Sequence, residues 1–89
     1  MSKRLQIEEG FKKYIPLEFI PYVVDLLFSA KVQFKVSRSR KTKLGDYRAP
    51  HGERTAHVIT VNHDLNPYAF LITTLHEFAH MNTYIKFGH

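Results

Sequence analysis

His76, Glu77 and His80 fall in the run HEFAH, close to the end of a chain of 89 residues. Residues four apart on a helix are neighbours, with Cβ atoms about 5–6 Å apart. Two imidazoles so placed reach one zinc ion at bond lengths of roughly 2.0–2.1 Å. Glu77 projects from the same side one position along, beside the metal and not on it. There it can take a proton from a water whose pKa zinc lowers to about 7, and later hand it to a departing amine. The spacing therefore predicts hydrolysis of a peptide bond, with Zn as cofactor, His76 and His80 as metal ligands and Glu77 as catalytic base. A catalytic zinc normally takes a third protein ligand. His89, in KFGH, is the one histidine downstream of the motif, and a turn at Gly88 could bend it back toward the metal.

The helix that must carry these residues is well marked. Asn66 is a good N-cap, Pro67 stands at the first helical position, and Gly88 is a plausible terminator after a pattern running to about Ile85. Leu71, Leu75, Phe78, Asn82 and Ile85 are expected to form the core stripe. Thr73, His76, Glu77, His80 and Tyr84 are expected to face a cleft.

Upstream, Ser2 can cap a first helix over KRLQIEEGFKKY, and Pro16 then punctuates. A second helix, starting near residue 18 so that Pro21 falls in its first turn, carries Phe19, Ile20, Val23, Val24, Leu27 and Phe28 on one face. KVQFKVS alternates as a half-buried strand, with Val32, Phe34 and Val36 inward. RKTKLGDYRAP reads as a second strand region in which Gly45-Asp46 marks a bulge or turn, and APHGERTA as a polar loop. HVITVN is a third, more apolar and more central strand. The fold class predicted is α+β: N-terminal helices, a three-stranded sheet, then the active-site helix, all in one domain over residues 1–89.

The remaining histidines are weaker candidates. His51 and His57 bracket a loop and are expected to be solvated. His63, in VNHDLNPY, is expected in a turn.

Bulk composition narrows the classes further. Hydrophobic residues make up 44% of the chain, close to the roughly 45–50% of globular domains, which argues against disorder. The absence of cysteine excludes disulfides, thiolate catalysis and Cys-based zinc sites. No segment reaches the roughly 18 apolar residues of a membrane span, and the N-terminus lacks the apolar core of a signal peptide, so no membrane partner and a cytoplasmic location are expected. A formal charge of +5 suits an acidic partner, DNA being the commonest, or ordinary solubility. Lys35, Arg38, Arg40, Lys41, Lys43 and Arg48 are expected to gather on the first strand pair with Tyr47 nearby. There they could track a phosphate backbone or form a solvated hairpin face. Contact with a peptide substrate is a further role for Arg48.

The runs SRSRKTKLGDYRAP and ITVNHDLNPYAFLITTLHEFAH resemble the SprT-like family of zinc metallopeptidases, whose eukaryotic relative is Spartan. The resemblance spans nearly the whole chain and is sharpest over residues 36–50 and 58–85. It implies a minimal zincin-like metallopeptidase, with His76 and His80 on zinc, Glu77 as base, and an edge strand that holds an extended protein or peptide substrate. It also implies a link to DNA, since Spartan-type enzymes degrade proteins crosslinked to it. In the family the third ligand is a histidine in an HG context further along, and His89 looks like the residue preceding that segment. By that comparison the domain lacks its C-terminal part and is incomplete without a third zinc ligand. Two alternatives stand beside the hydrolase: a non-catalytic nucleic-acid-binding module, and an inactive fragment.

Overall fold

The computed structural model describes residues 2–38 and 44–88. Its elements are helices α1 (Lys3–Phe11), α2 (Ile20–Phe28) and α3 (Pro67–Phe87), and strands β1 (Val32–Ser37), β2 (Gly45–Arg48) and β3 (His57–Asn62). The fold is α+β, as the sequence predicts.

Ser2 caps α1, its hydroxyl accepting from the Leu5 N–H at 3.2 Å. The helix stops at Phe11 and not at Tyr14, and the chain turns through Tyr14 N–H to Phe11 C=O and Ile15 N–H to the same carbonyl, both at 2.9 Å. Ile15 precedes Pro16, and the residue before a proline is pushed out of the helical region. Arg4 ties α1 to α2 through Asp25 at 2.8 Å; both partners are largely exposed, so this pair adds little stability. A single 3₁₀ turn, Leu17–Phe19, leads into α2, which places Pro21 in the first turn as expected. Ile20, Val23, Val24 and Leu27 are buried at the i, i+3, i+4, i+7 spacing of one helix face.

The strand order is β1-β3-β2. β1 runs parallel to β3, with Phe34 opposite Ile59 and Val36 opposite Val61. β2 runs antiparallel on the other side, with Gly45 opposite Val61 and Tyr47 opposite Ile59. The central position expected for HVITVN is confirmed. Two expectations are corrected. Gly45 and Asp46 open a strand and are not a turn, because pairing to β3 outweighs their turn-like composition. β1 and β2 are not a pair, since β3 lies between them.

Side chains alternate across a strand. Val32, Phe34 and Val36 of β1, Ile59 and Val61 of β3, and Tyr47 of β2 all point to the helices and join the core with Phe11, Ile15, Phe70 and Phe78. Gln33 and Lys35, Thr60, and Asp46 and Arg48 point the other way, onto a face that no helix among the described residues covers. Aromatic rings tie the parts together: Phe11 of α1 meets Phe34 of β1 edge-on at 5.2 Å, and Tyr14 after α1 stacks on Phe70 of α3 at 5.0 Å.

α3 begins and ends as its sequence predicts. Asn66 Oδ1 accepts from the Ala69 N–H at 2.9 Å, and Gly88 takes the left-handed conformation at φ 80°. The buried arc, however, is rotated from the expected one. Phe70, Leu71, Thr74, Glu77, Phe78 and Met81 are buried, whereas Asn82 and Ile85 are exposed. Thr74 is accommodated because its hydroxyl donates to the Phe70 carbonyl at 2.8 Å. The core-facing line thus runs 70, 74, 77/78, 81, and ends one turn earlier than the apolar pattern suggests.

Candidate active site

His76 and His80 sit one turn apart on the exposed flank of α3, and their Nε2 atoms approach to 3.0 Å. Their rings stand perpendicular at 4.5 Å between centroids. Two nitrogens bonded to one tetrahedral zinc at 2.0–2.1 Å lie about 3.3 Å apart. The observed separation is within a few tenths of an ångström of that chelating distance. Without a metal, the same contact is a hydrogen bond between one protonated and one bare imidazole nitrogen. Among the described residues, no group of three or more His, Asp or Glu side chains gathers in a metal-holding arrangement. The donor set there is this pair. His89, expected as a third ligand, lies outside the described residues, as do Arg40, Lys41 and Lys43.

Glu77 occupies a different environment from the histidines that flank it. It is only 7% exposed and borders a cleft of about 290 Å³ whose other walls are Gly45, Asp46, Tyr47 and His80. The expected cleft-facing stripe is therefore real for Glu77 and His80. Tyr84 extends it one turn down, with its ring 6.5 Å from that of Tyr47.

What lets β2 approach α3 so closely is the missing side chain at Gly45. A Cβ there would lie 2.6 Å from Thr73 Cγ2, 3.0 Å from Glu77 Oε2 and 3.2 Å from the Thr60 carbonyl oxygen. Thr73 is β-branched and has two favoured χ1 rotamers in a helix, so its room to move aside is small. Gly45→Ala is expected to cost about 1–3 kcal/mol by overpacking. In a domain this small that lowers Tm by roughly 4–8 °C per kcal/mol. Thr73→Ser removes the nearest methyl and should recover part of the loss, so thermal melts of the two singles and the double give a coupling energy. Strictly additive losses would show that the contact is not the cause.

His57 corrects an expectation. It is 8% exposed rather than solvated. Its Nδ1 lies 2.7 Å from the Tyr47 hydroxyl, its ring stacks on Tyr47 at 5.9 Å, and it meets Tyr84 edge-on at 6.1 Å. Burial lowers the His57 pKa from its ordinary value and raises that of Tyr47, so both groups are held neutral around pH 7. The signal was available in the strand's parity, because His57 shares its face with Ile59 and Val61. His51 is exposed, as expected. His63 closes a turn, with Nδ1 2.9 Å from the Ser37 carbonyl oxygen.

Of the expected basic cluster, the described residues Lys35, Arg38 and Arg48 do not gather on one strand pair. Arg38 follows β1 at one edge of the sheet, and Arg48 lies on β2 at the other, where its Nε donates to Asp46 Oδ2 at 3.1 Å. Lys35 and Arg48 share the helix-free face, on opposite edge strands.

In comparisons with known proteins, no family model, no curated protein and no solved structure matches this chain.

Proposed function

We propose that this chain is a zinc-dependent metallopeptidase domain of the SprT-like, zincin-like kind, which hydrolyses peptide bonds, with DNA-associated proteins as its substrate class. The observation that carries this reading is the 3.0 Å convergence of His76 and His80 Nε2 beside the buried, cleft-lining carboxylate of Glu77. Zinc bound by this pair would supply Lewis acidity, activating water and polarising the peptide carbonyl.

The protein's own groups divide the remaining work. Glu77 accepts a proton from the attacking water and returns it to the leaving amine. Its carboxylate is held beside β2 because Gly45 leaves room for it. β2 is an edge strand, the position at which an extended segment adds to a sheet, and it borders the same cleft. A peptide laid along it would pass Glu77 and His80. The link to DNA comes from the family resemblance, and exposed Lys35 and Arg48 on the helix-free face are the described residues placed to meet phosphates.

Zinc titration of the full chain by calorimetry, followed by dialysis against a mild chelator, tests the reading. About one zinc per chain is expected once a third ligand, from His89 or from a second chain, joins His76 and His80, and it is lost in His76→Ala and in His80→Ala. His89→Ala decides whether that residue closes the site or a second chain does. If no zinc binds the unmodified chain, the two imidazoles are a hydrogen-bonded surface pair and the hydrolase reading falls.

A further inference from the structure

The Tyr47–His57 pair is not accounted for by the HExxH chemistry. Tyr47 is one of five residues lining the cleft that also holds Glu77 and His80. Its hydroxyl lies 2.7 Å from His57 Nδ1, and Tyr84, one turn beyond His80, closes over both rings. A buried histidine spent on orienting a single phenol costs desolvation that an apolar side chain would avoid. Tyr47 lines the cleft on the strand along which a substrate would lie, and His57 fixes the direction of its hydroxyl.

We infer that Tyr47 contacts the main chain of a bound peptide through its hydroxyl, and that His57 is the positioning residue that aims it. This rests on the reading of the cleft as a peptide-hydrolase site and adds a contact to it. With His57 in the tautomer whose Nδ1 carries the proton, Nδ1–H donates to the phenolic oxygen. The phenolic proton is then available to a peptide carbonyl oxygen. The opposite tautomer accepts the phenolic proton and withdraws it from the cleft. A carbonyl ligand therefore selects the first tautomer, and the pair stays neutral throughout.

The test uses the zinc-loaded full chain carrying Glu77→Gln, so that bound substrate is not cleaved, with fluorescein-labelled unfolded casein as the probe and anisotropy as the readout. Adding Tyr47→Phe keeps the ring and removes the hydroxyl, and affinity is expected to fall about five- to tenfold. His57→Phe keeps a planar ring against Tyr47 and Tyr84 while removing the nitrogen, and should produce the same fall. The double variant should bind no worse than either single, the non-additivity of groups that act as one unit. His57→Gln, which restores a donor, should recover most of the affinity, which a merely structural role for the ring would not produce. Far-UV circular dichroism and melts establish that each variant is folded, and the two single variants reach the same conclusion by independent routes. Undiminished binding by both Tyr47→Phe and His57→Phe overturns this inference alone. Failure of the Glu77→Gln chain to bind casein at all overturns the peptide-site reading together with it.

Discussion

Glu77→Gln is expected to lower casein hydrolysis by about 10²–10⁴-fold while leaving zinc affinity and fold unchanged. The size of the effect follows from what the substitution removes. Gln matches Glu in shape, so it fills the same place between His76, His80 and Gly45. It cannot accept a proton from water or return one to an amine, so the base and the acid are lost in one step. Stability should not suffer, because the amide occupies the same volume as the carboxylate in this nearly buried place. Cleavage assays at saturating zinc, run beside zinc titrations of the same samples, separate the chemistry from the metal. Hydrolysis that survives the change would remove Glu77 from the mechanism.

The second large effect concerns the core that holds α3 in place. Phe70 is fully buried and stacks on Tyr14 at 5.0 Å, and its ring lies 6.3 Å from that of Phe34. It therefore joins three parts of the chain: the turn after α1, the first strand and the helix of the candidate site. Phe70→Ala is expected to cost about 3–5 kcal/mol, the transfer term plus the cavity left behind. Small domains hold only about 5–15 kcal/mol in total, so most of the chain's margin would disappear. Urea denaturation measures this directly, with Ile72→Ala as the comparison. Ile72 is 66% exposed on the same helix and should change stability by no more than about 0.5 kcal/mol. A loss below about 1 kcal/mol for Phe70→Ala would mean that α3 is not anchored through this ring.

Local signals proved readable wherever the physics is local. Ser2, Asn66, Pro67 and Gly88 act within one turn of where they stand, and each does what its side chain or backbone predicts. The alternation of Val32, Phe34 and Val36 likewise reports a two-residue period that the strand obeys. Strand order is a different matter, because it depends on which distant segment supplies hydrogen-bond partners. Nothing within SRSRKTKLGDYR says that β3 separates β1 from β2. Gly45 illustrates the same limit: its composition suggests a turn, while its actual role is set by Thr73 and Glu77 far along the chain.

The candidate site divides along the same line. The His76–His80 separation follows from helix geometry alone. The burial of Glu77 beside them depends on the approach of β2, which the motif does not encode. His57 was misjudged because it stands next to a polar loop, although its parity matches that of the core residues Ile59 and Val61. The α3 core stripe differs from the expected one because Leu75 and Asn82 lie a quarter-turn or more off the line that faces the sheet, while Ile85 lies near that line but beyond its last buried turn at Met81.

The sheet order also dictates when structure can first appear as the chain emerges during synthesis. β1 and β2 are both edge strands, and each has β3 as its neighbour in the sheet. Until residues 57–62 have been made, neither β1 nor β2 has its native strand partner, however long they wait. The order then turns on β3, whose arrival supplies partners to both edges at once, with α3 following immediately to cover the apolar face. Sheet assembly thus waits on contacts between distant parts of the sequence, which slow folding relative to a fold of local contacts. The nascent chain holds its apolar β1 side chains exposed for longer than a simple hairpin would, and Lys31, Lys35 and Arg38 alongside them supply charge that discourages association meanwhile.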